Sequence, residues 1–320
     1  MSTAAKLRAR GLTVETVGDI LSDGDDAFRA SHIGAAEVAA LFDASPYATR
    51  FEIWHRKRGT IATPEFGGNE RIEWGVRLEP AIIAAAADRY GYELEETPKH
   101  LSNGAGLGGH PDRLAFCPDR GNRGILEVKT VDRLIRKQWG DEPPLHYLLQ
   151  AQAYAGLAGR AWCDIIVLVG GNSLERFTYE FRPKVYADIE RRVTEFWQSV
   201  RANDPPPPDF ARDGDALAEV LGEPTEEVAD LRHDNQADEL AEEWLTLKST
   251  AKATETRLDE IKTELLLKIG SAGYAMLPNH RIGASQTKDS AGKFVTETMV
   301  GTYVGARKGY RRFDVREFTP

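Results

Sequence analysis

Asp112, Glu127 and Lys129 are the residues of this chain whose types and spacing could do chemistry together. Side chains two apart on a strand point to one face, so Glu127 and Lys129 project together while Val128 faces the core. A strand ending at Asp112, after Gly108-Gly109-His110-Pro111, brings that carboxylate to the same face if the two segments pair as a hairpin. Two carboxylates and an ammonium at one spot are costly unless something binds there. Hard divalent cations such as Mg²⁺ take oxygen ligands, typically one or two carboxylates plus water and substrate phosphates. A neighbouring lysine can orient and help deprotonate an attacking water, or stabilise charge developing on phosphorus. The set therefore suits metal-assisted hydrolysis of a phosphodiester. A strand that merely shows Glu and Lys to solvent spells the same letters, and the triplet alone does not separate the two readings.

The surrounding pattern mixes helices and strands. Segments 33–42, 51–59 and 69–90 read as helices, the last with apolar Ile72, Val76, Ile82, Ile83 and Ala87 and a stop at Gly91. Segments 107–112, 114–117 and 125–130 read as strands, 145–157 as a helix, 162–169 as a buried strand and 177–181 as its partner. Segment 183–201 closes this part as an amphipathic helix. Helices flanking a small mixed sheet make an α/β domain. Pro205–Pro208 is a stiff spacer. The expected division is a core over 1–204, a Pro-rich acidic linker over 205–237 and an appendage over 238–320. In the appendage Leu240, Trp244, Leu247, Ala251, Thr254, Leu258, Ile261 and Leu265 step alternately by four and three, a heptad register on one long helix over 238–269. Segments 274–282 and 301–313 then read as a small basic β-hairpin.

Composition narrows the field. The chain has 320 residues, 41% hydrophobic and 28% charged, which excludes wholesale disorder. Its longest apolar runs, 81–87 and 165–169, are too short to span a bilayer, and residues 1–10 lack the apolar stretch of a secretory signal. No membrane partner is expected. Two cysteines, Cys117 and Cys163, cannot build a disulfide scaffold or a four-cysteine cluster and read as reduced thiols of a cytoplasmic protein. The net charge of −9 argues against nucleic acid only until it is divided. Residues 203–243 carry fourteen Asp/Glu against Arg212 and Arg232, a net −12, while 281–316 carries eight Lys/Arg against three acids, a net +5. Gly104-x-Gly106-x-x-Gly109 spells a dinucleotide fingerprint, but Pro111 and a strand follow it where the fingerprint requires a helix.

The Asp112…Glu127-Val128-Lys129 set resembles the PD-(D/E)xK nuclease signature, and three flanking blocks resemble its YqaJ-type viral recombinase branch, the lambda exonuclease family. They are Arg29 to Val38 with Ser45-Pro46-Tyr47, Asn69 to Pro80, and Tyr147-Leu-Leu-Gln150-Ala-Gln152-Ala-Tyr154. The likeness covers about residues 29–200. It implies a restriction-endonuclease-like α/β core, with Asp112 and Glu127 as direct Mg²⁺ ligands (Mn²⁺ as the alternative), the Val128 carbonyl as a third, Glu79 as the supporting helix acid and Lys129 as the catalytic lysine. It also implies that Gln150, Gln152 and Tyr154 lie near the metal or the DNA, and that Arg29 takes the 5′-phosphate of a DNA end. Ala36 and His110 stand where the family has hydroxyl residues. The implied activity is digestion of one strand from duplex DNA ends, 5′ to 3′, exposing single strand for an annealing protein. The family's trimeric ring is the implied assembly. An endonuclease on the same core, or a non-catalytic DNA-binding assembly protein, would use the same residues.

Overall fold

Caps and apolar spacing define the helices, and two runs of β-branched residues define the sheet. The computed structural model describes residues 25–63, 69–223, 225–288 and 314–317. The chain divides into two compact units, Met1–Pro224 and Thr225–Pro320.

The first unit opens with α1 (Asp25–Ser31), β1 (Ile33–Gly34) and a 3₁₀ turn, Val38–Phe42. The expected helix over 33–42 is not there. Ile33 is fully buried and pairs with Leu107, so tertiary pairing takes the residue that propensity assigns to a helix. Next come α2 (Arg50–Arg58) and α3 (Glu70–Tyr90). Thr49 and Glu52 form a reciprocal capping box on α2, and the Asn69 side chain caps α3. Then follow β2 (Glu93–Glu95), β3 (Leu101–Ser102), β4 (Leu107–Gly109), β5 (Arg113–Cys117) and β6 (Asn122–Val131). The unit continues with α4 (Arg133–Gln138), α5 (Leu145–Leu157), β7 (Trp162–Val169), β8 (Ser173–Glu180), α6 (Pro183–Ala202) and α7 (Gly214–Leu221).

The main sheet has the order β2-β5-β6-β7-β8. Within it only β6 and β7 run parallel, and the connection between them carries α4 and α5. Residues of β6 alternate between two cores. Ile125 packs with α5 and α6 on one face, and Leu126 packs with Ile82, Ile83 and Ala86 of α3 on the other. Burying both faces explains why β7, Trp162 to Val169, is an almost unbroken apolar run. A second sheet, β1-β4-β3, holds the glycine-rich segment, and Gly104 and Gly106 take positive φ in the β3–β4 turn. No helix opens after those glycines, so the dinucleotide fingerprint is a coincidence of letters.

The boundary expected at the proline run lies further on. Asp213 is 1% exposed; it accepts from Thr49 Oγ1 at 2.6 Å and from the Asp209 amide at 2.7 Å. Arg212 donates to the Ser45 carbonyl, and Ala216 packs with Phe51 and Ile61. The chain past the prolines therefore folds back onto α2, so residues up to Leu221 belong to the first unit. Proline content signals a stiff spacer, but it carries no sign that Asp213, just beyond the run, is buried.

The second unit consists of α8 (Asn235–Ile269), capped by Asp234, and the antiparallel sheet β11-β10-β9, with β9 Tyr274–Met276, β10 His280–Gly283 and β11 Asp314–Glu317. The expected strand over 301–313 lies outside the described residues. Among the described residues no helix is long and apolar enough to cross a membrane.

Candidate metal and phosphate site

The β5–β6 hairpin assembles the acid–acid–lysine set. Arg113 pairs with Leu126, so Asp112, one residue ahead of β5, stands opposite Glu127. The pairing strand is β5 itself rather than the expected 107–112, because β4 leaves for the second sheet. Asp112 Oδ2 accepts from the Val128 amide at 2.6 Å, which fixes its carboxyl against β6. Lys129 Nζ lies 2.6 Å from Glu127 Oε1. The other carboxylate oxygen, Glu127 Oε2, is buried with no hydrogen-bond partner.

These residues line a cavity of about 250 Å³ together with Glu79, Gln150, Ile72, Gly75, Val76 and Thr130. Glu79 comes from α3, where Pro80 has no amide to donate to the Val76 carbonyl one turn back. Burial pushes all three carboxyls up to about 7. The Glu79 charge adds to the effect on Asp112, Asp112 to that on Glu127, and Glu127 to that on Glu79. Burial pulls the Lys129 ammonium down, but Glu127 and Asp112 outweigh it and the net shift is upward. Lys129 is therefore a standing cation at any working pH. Its Nζ sits 5.0 Å above the Tyr147 ring.

The helix α5 forms the far wall. Gln150 lines the cavity, and Tyr154, one turn further, is 6% exposed. The Tyr154 hydroxyl bonds with the Gln150 side chain and the His110 backbone. A Cβ at Gly109 would come within 2.7 Å of the Tyr154 ring, so the glycine permits this approach. Tyr154 thus backs Gln150 from within the core, and a residue so covered presents no surface to DNA.

Gln152 departs from its expected role altogether. Its amide donates to the Glu180 carbonyl and accepts from the Arg182 amide, at 3.0 and 2.7 Å. It ties α5 to the β8–α6 turn and takes no part in the cavity. Arg29 sits in the last turn of α1, exposed, and is not among the cavity-lining residues; its carbonyl accepts from Lys57 Nζ at 2.7 Å.

Two neighbours went unassigned in the sequence. Tyr147 lies one turn before Gln150, a spacing that could have flagged it. The His146 ring lies 4.1 Å from that of Tyr147, tilted by 55°; burial and then the Lys129 charge hold its imidazole below the usual range. Only its position four residues before Gln150 signals it.

Among the described residues no three His, Cys, Asp or Glu side chains converge to cage a metal unaided. Mg²⁺ does not need such a cage, since it keeps waters and shares substrate oxygens. The orphaned Glu127 Oε2 beside a second carboxylate, with both groups holding protons too tightly when empty, fits a hard divalent cation.

A mixed sheet carrying an aspartate opposite a Glu-x-Lys strand, walled by one helix on either face, is the arrangement that the resemblance to the PD-(D/E)xK signature implies. The family model of the YqaJ-like viral recombinase domain matches residues 26–161. No curated protein matches the chain. Among solved structures, the alkaline exonuclease LHK-Exo of Laribacter hongkongensis is 21% identical over 60% of this chain and 97% of its own, with a TM-score of 0.45. A phage-related exonuclease of Haemophilus somnus 129PT is 12% identical over 54% and 96%, with a TM-score of 0.40.

Proposed function

We propose that this protein is a Mg²⁺-dependent DNA exonuclease of phage-type recombination. It would hydrolyse one strand from duplex ends, 5′ to 3′, and leave single strand for an annealing protein. The observation that carries the reading is the buried, partnerless Glu127 oxygen beside Asp112 and Lys129, within the residues that the YqaJ-like family model matches. Asp112, Glu127 and the Val128 carbonyl would hold the cation, with Glu79 reaching it through water. A bound divalent cation would supply Lewis-acid polarisation of the phosphodiester and a more acidic water.

The chain's own groups do the rest. Lys129, kept cationic by Glu127, donates to the attacking water or to a non-bridging phosphate oxygen. There it stabilises the negative charge that grows as the bond from water to phosphorus forms and the bond to the leaving oxygen breaks. It stays an ammonium and is not the proton acceptor; the proton that the water loses would pass to the Glu79 carboxylate, and the leaving oxygen would take one from solvent. Gln150, on the opposite wall, offers an amide to the same phosphate, and Tyr154 fixes its orientation. Arg29 suits capture of a terminal 5′-phosphate by its planar fork of donors.

The test is digestion of linear 5′-phosphorylated duplex beside the same DNA circularised, with Mg²⁺, with Mn²⁺ and with EDTA. Metal-dependent loss of the linear form alone supports the reading. Cutting of the circle would make the protein an endonuclease, and no cleavage of either form with either metal would overturn both.

A further inference from the structure

The Tyr47 ring is 73% exposed, yet its place is fixed from several sides. The hydroxyl of buried Ser45 accepts from the Tyr47 and Ala48 amides at 3.2 and 3.3 Å. Arg212 donates to the Ser45 carbonyl at 2.9 Å. At the tip of the side chain, the Tyr47 hydroxyl bonds with Tyr147. The ring stands at 88° to that of His146, with centroids 5.6 Å apart. A lone aromatic on a surface is ordinary. A ring held by so many contacts has given up its rotamers while burying little area in return. What it presents to solvent is a flat apolar face that is already in position.

Tyr147 joins that face to the chemistry. Its ring lies 5.0 Å from Lys129 Nζ, and it precedes the cavity-lining Gln150 by one turn of α5. One ring and one hydrogen bond therefore separate Lys129 from the Tyr47 ring, a span on the order of 10 Å. That is within reach of the nucleotide next to a phosphate held in the cavity. Pro46, before Tyr47, and Leu145, before His146, are exposed as well, so the surface beside the ring is apolar and not charged.

We propose that Tyr47 is the platform on which an unpaired base of the strand being cut stacks, beside the phosphate in the cavity. His146 is the positioning residue that steadies the ring. The proposal rests on the reading of the cavity as a nuclease site and says where the neighbouring base lies. Paired bases hide their faces within the duplex, and only a base that has left its partner can lie on an aromatic ring. Every base has such a face, so stacking grips the strand without reading its sequence. Each base drawn onto Tyr47 is one that has left the duplex, which separates the cut strand from the strand that stays.

The test is binding of the full chain to linear 5′-phosphorylated duplex in Ca²⁺, read by fluorescence anisotropy, with melting of each variant as a check on the fold. Tyr47→Ala should bind about tenfold more weakly, and Tyr47→Trp should bind as the unaltered protein does. An abasic residue is then placed in turn at each nucleotide near the cut end. At one position it should cost the unaltered protein about the same tenfold and cost Tyr47→Ala nothing further. His146→Ala should weaken binding in the same direction, and His146→Phe should restore it. Undiminished binding by Tyr47→Ala, or an abasic penalty that is the same in both proteins at every position, would overturn the platform and leave the nuclease reading standing. Failure of the unaltered protein to bind DNA ends would overturn both.

Discussion

Replacing Glu127 by Gln should stabilise the protein in the absence of divalent cations. Glu127 is 1% exposed, and burial and then Asp112 raise its carboxyl from 4.5 to about 7. In the fold it holds a proton that the unfolded chain has already released between those two values. Stability therefore falls as pH rises from about 4.5 to about 7 and is level above that. The full difference corresponds to roughly 3 kcal/mol. Glutamine keeps the shape and an oxygen for Lys129 but carries no charge, so it removes that cost at pH 8. Because its NH₂ must find acceptors in the same corner, a gain of about 1–3 kcal/mol is expected, a Tm increase of roughly 3–10 °C for a domain of this size. The assay is thermal unfolding of both proteins in EDTA at pH 8 and pH 5. At pH 5 the wild-type carboxyl is protonated in the fold and most of the gap should close. With saturating Mg²⁺ the order should reverse, because the proposed ligand set is complete only in the wild type. A Glu127→Gln protein that melts below wild type at pH 8 in EDTA would refute the reasoning, since the Lys129 contact would then outweigh burial and repulsion.

Lys129→Ala should lower the cleavage rate by about 10²-fold or more while DNA retention in Ca²⁺, read by gel shift, stays near wild type; undiminished turnover would remove the lysine from the chemistry. Gln150→Ala should reduce cleavage with little change in Tm, whereas Gln152→Ala should leave two part-buried backbone groups without their partner and lower stability by about 1 kcal/mol; comparing melting with turnover for the pair checks both. Asp213→Ala should destabilise the first unit by about 2–3 kcal/mol through the lost Thr49 and Asp209 contacts. By the same argument a chain cut after residue 204 should melt well below one cut after 224. Equal melting of the two would mean that the folded-back segment adds nothing.

The legible parts of the molecule are those written locally. The hairpin needs only alternation and a turn, so the spacing of Asp112, Glu127 and Lys129 is enough to put them on one face. Segments 145–157 and 162–169 match α5 and β7 because each has one strong period. The features that escape a sequence reading are written at a distance. Ile33 becomes a strand only because Leu107 is beside it. Helical spacing already separates Gln150, on the face of Tyr154, from Gln152, which points elsewhere, but that the β8–α6 turn waits on the Gln152 side is written 28 to 30 positions away. Residues 209–221 read as linker because the threonine that receives Asp213 lies 164 positions earlier.

The bond from the Val128 amide to Asp112 spans 16 positions, whereas α3 and α5 bring Glu79 and Gln150 from somewhat further along the chain, on elements that must dock on the sheet. Short loops close first. The acid–acid–lysine corner therefore meets early in folding, while water still surrounds it and its charges repel weakly. Only the later docking of the two helices dries it. The cost of crowding the acids then falls on the final steps, and it shows in how fast the native state opens more than in how fast it forms.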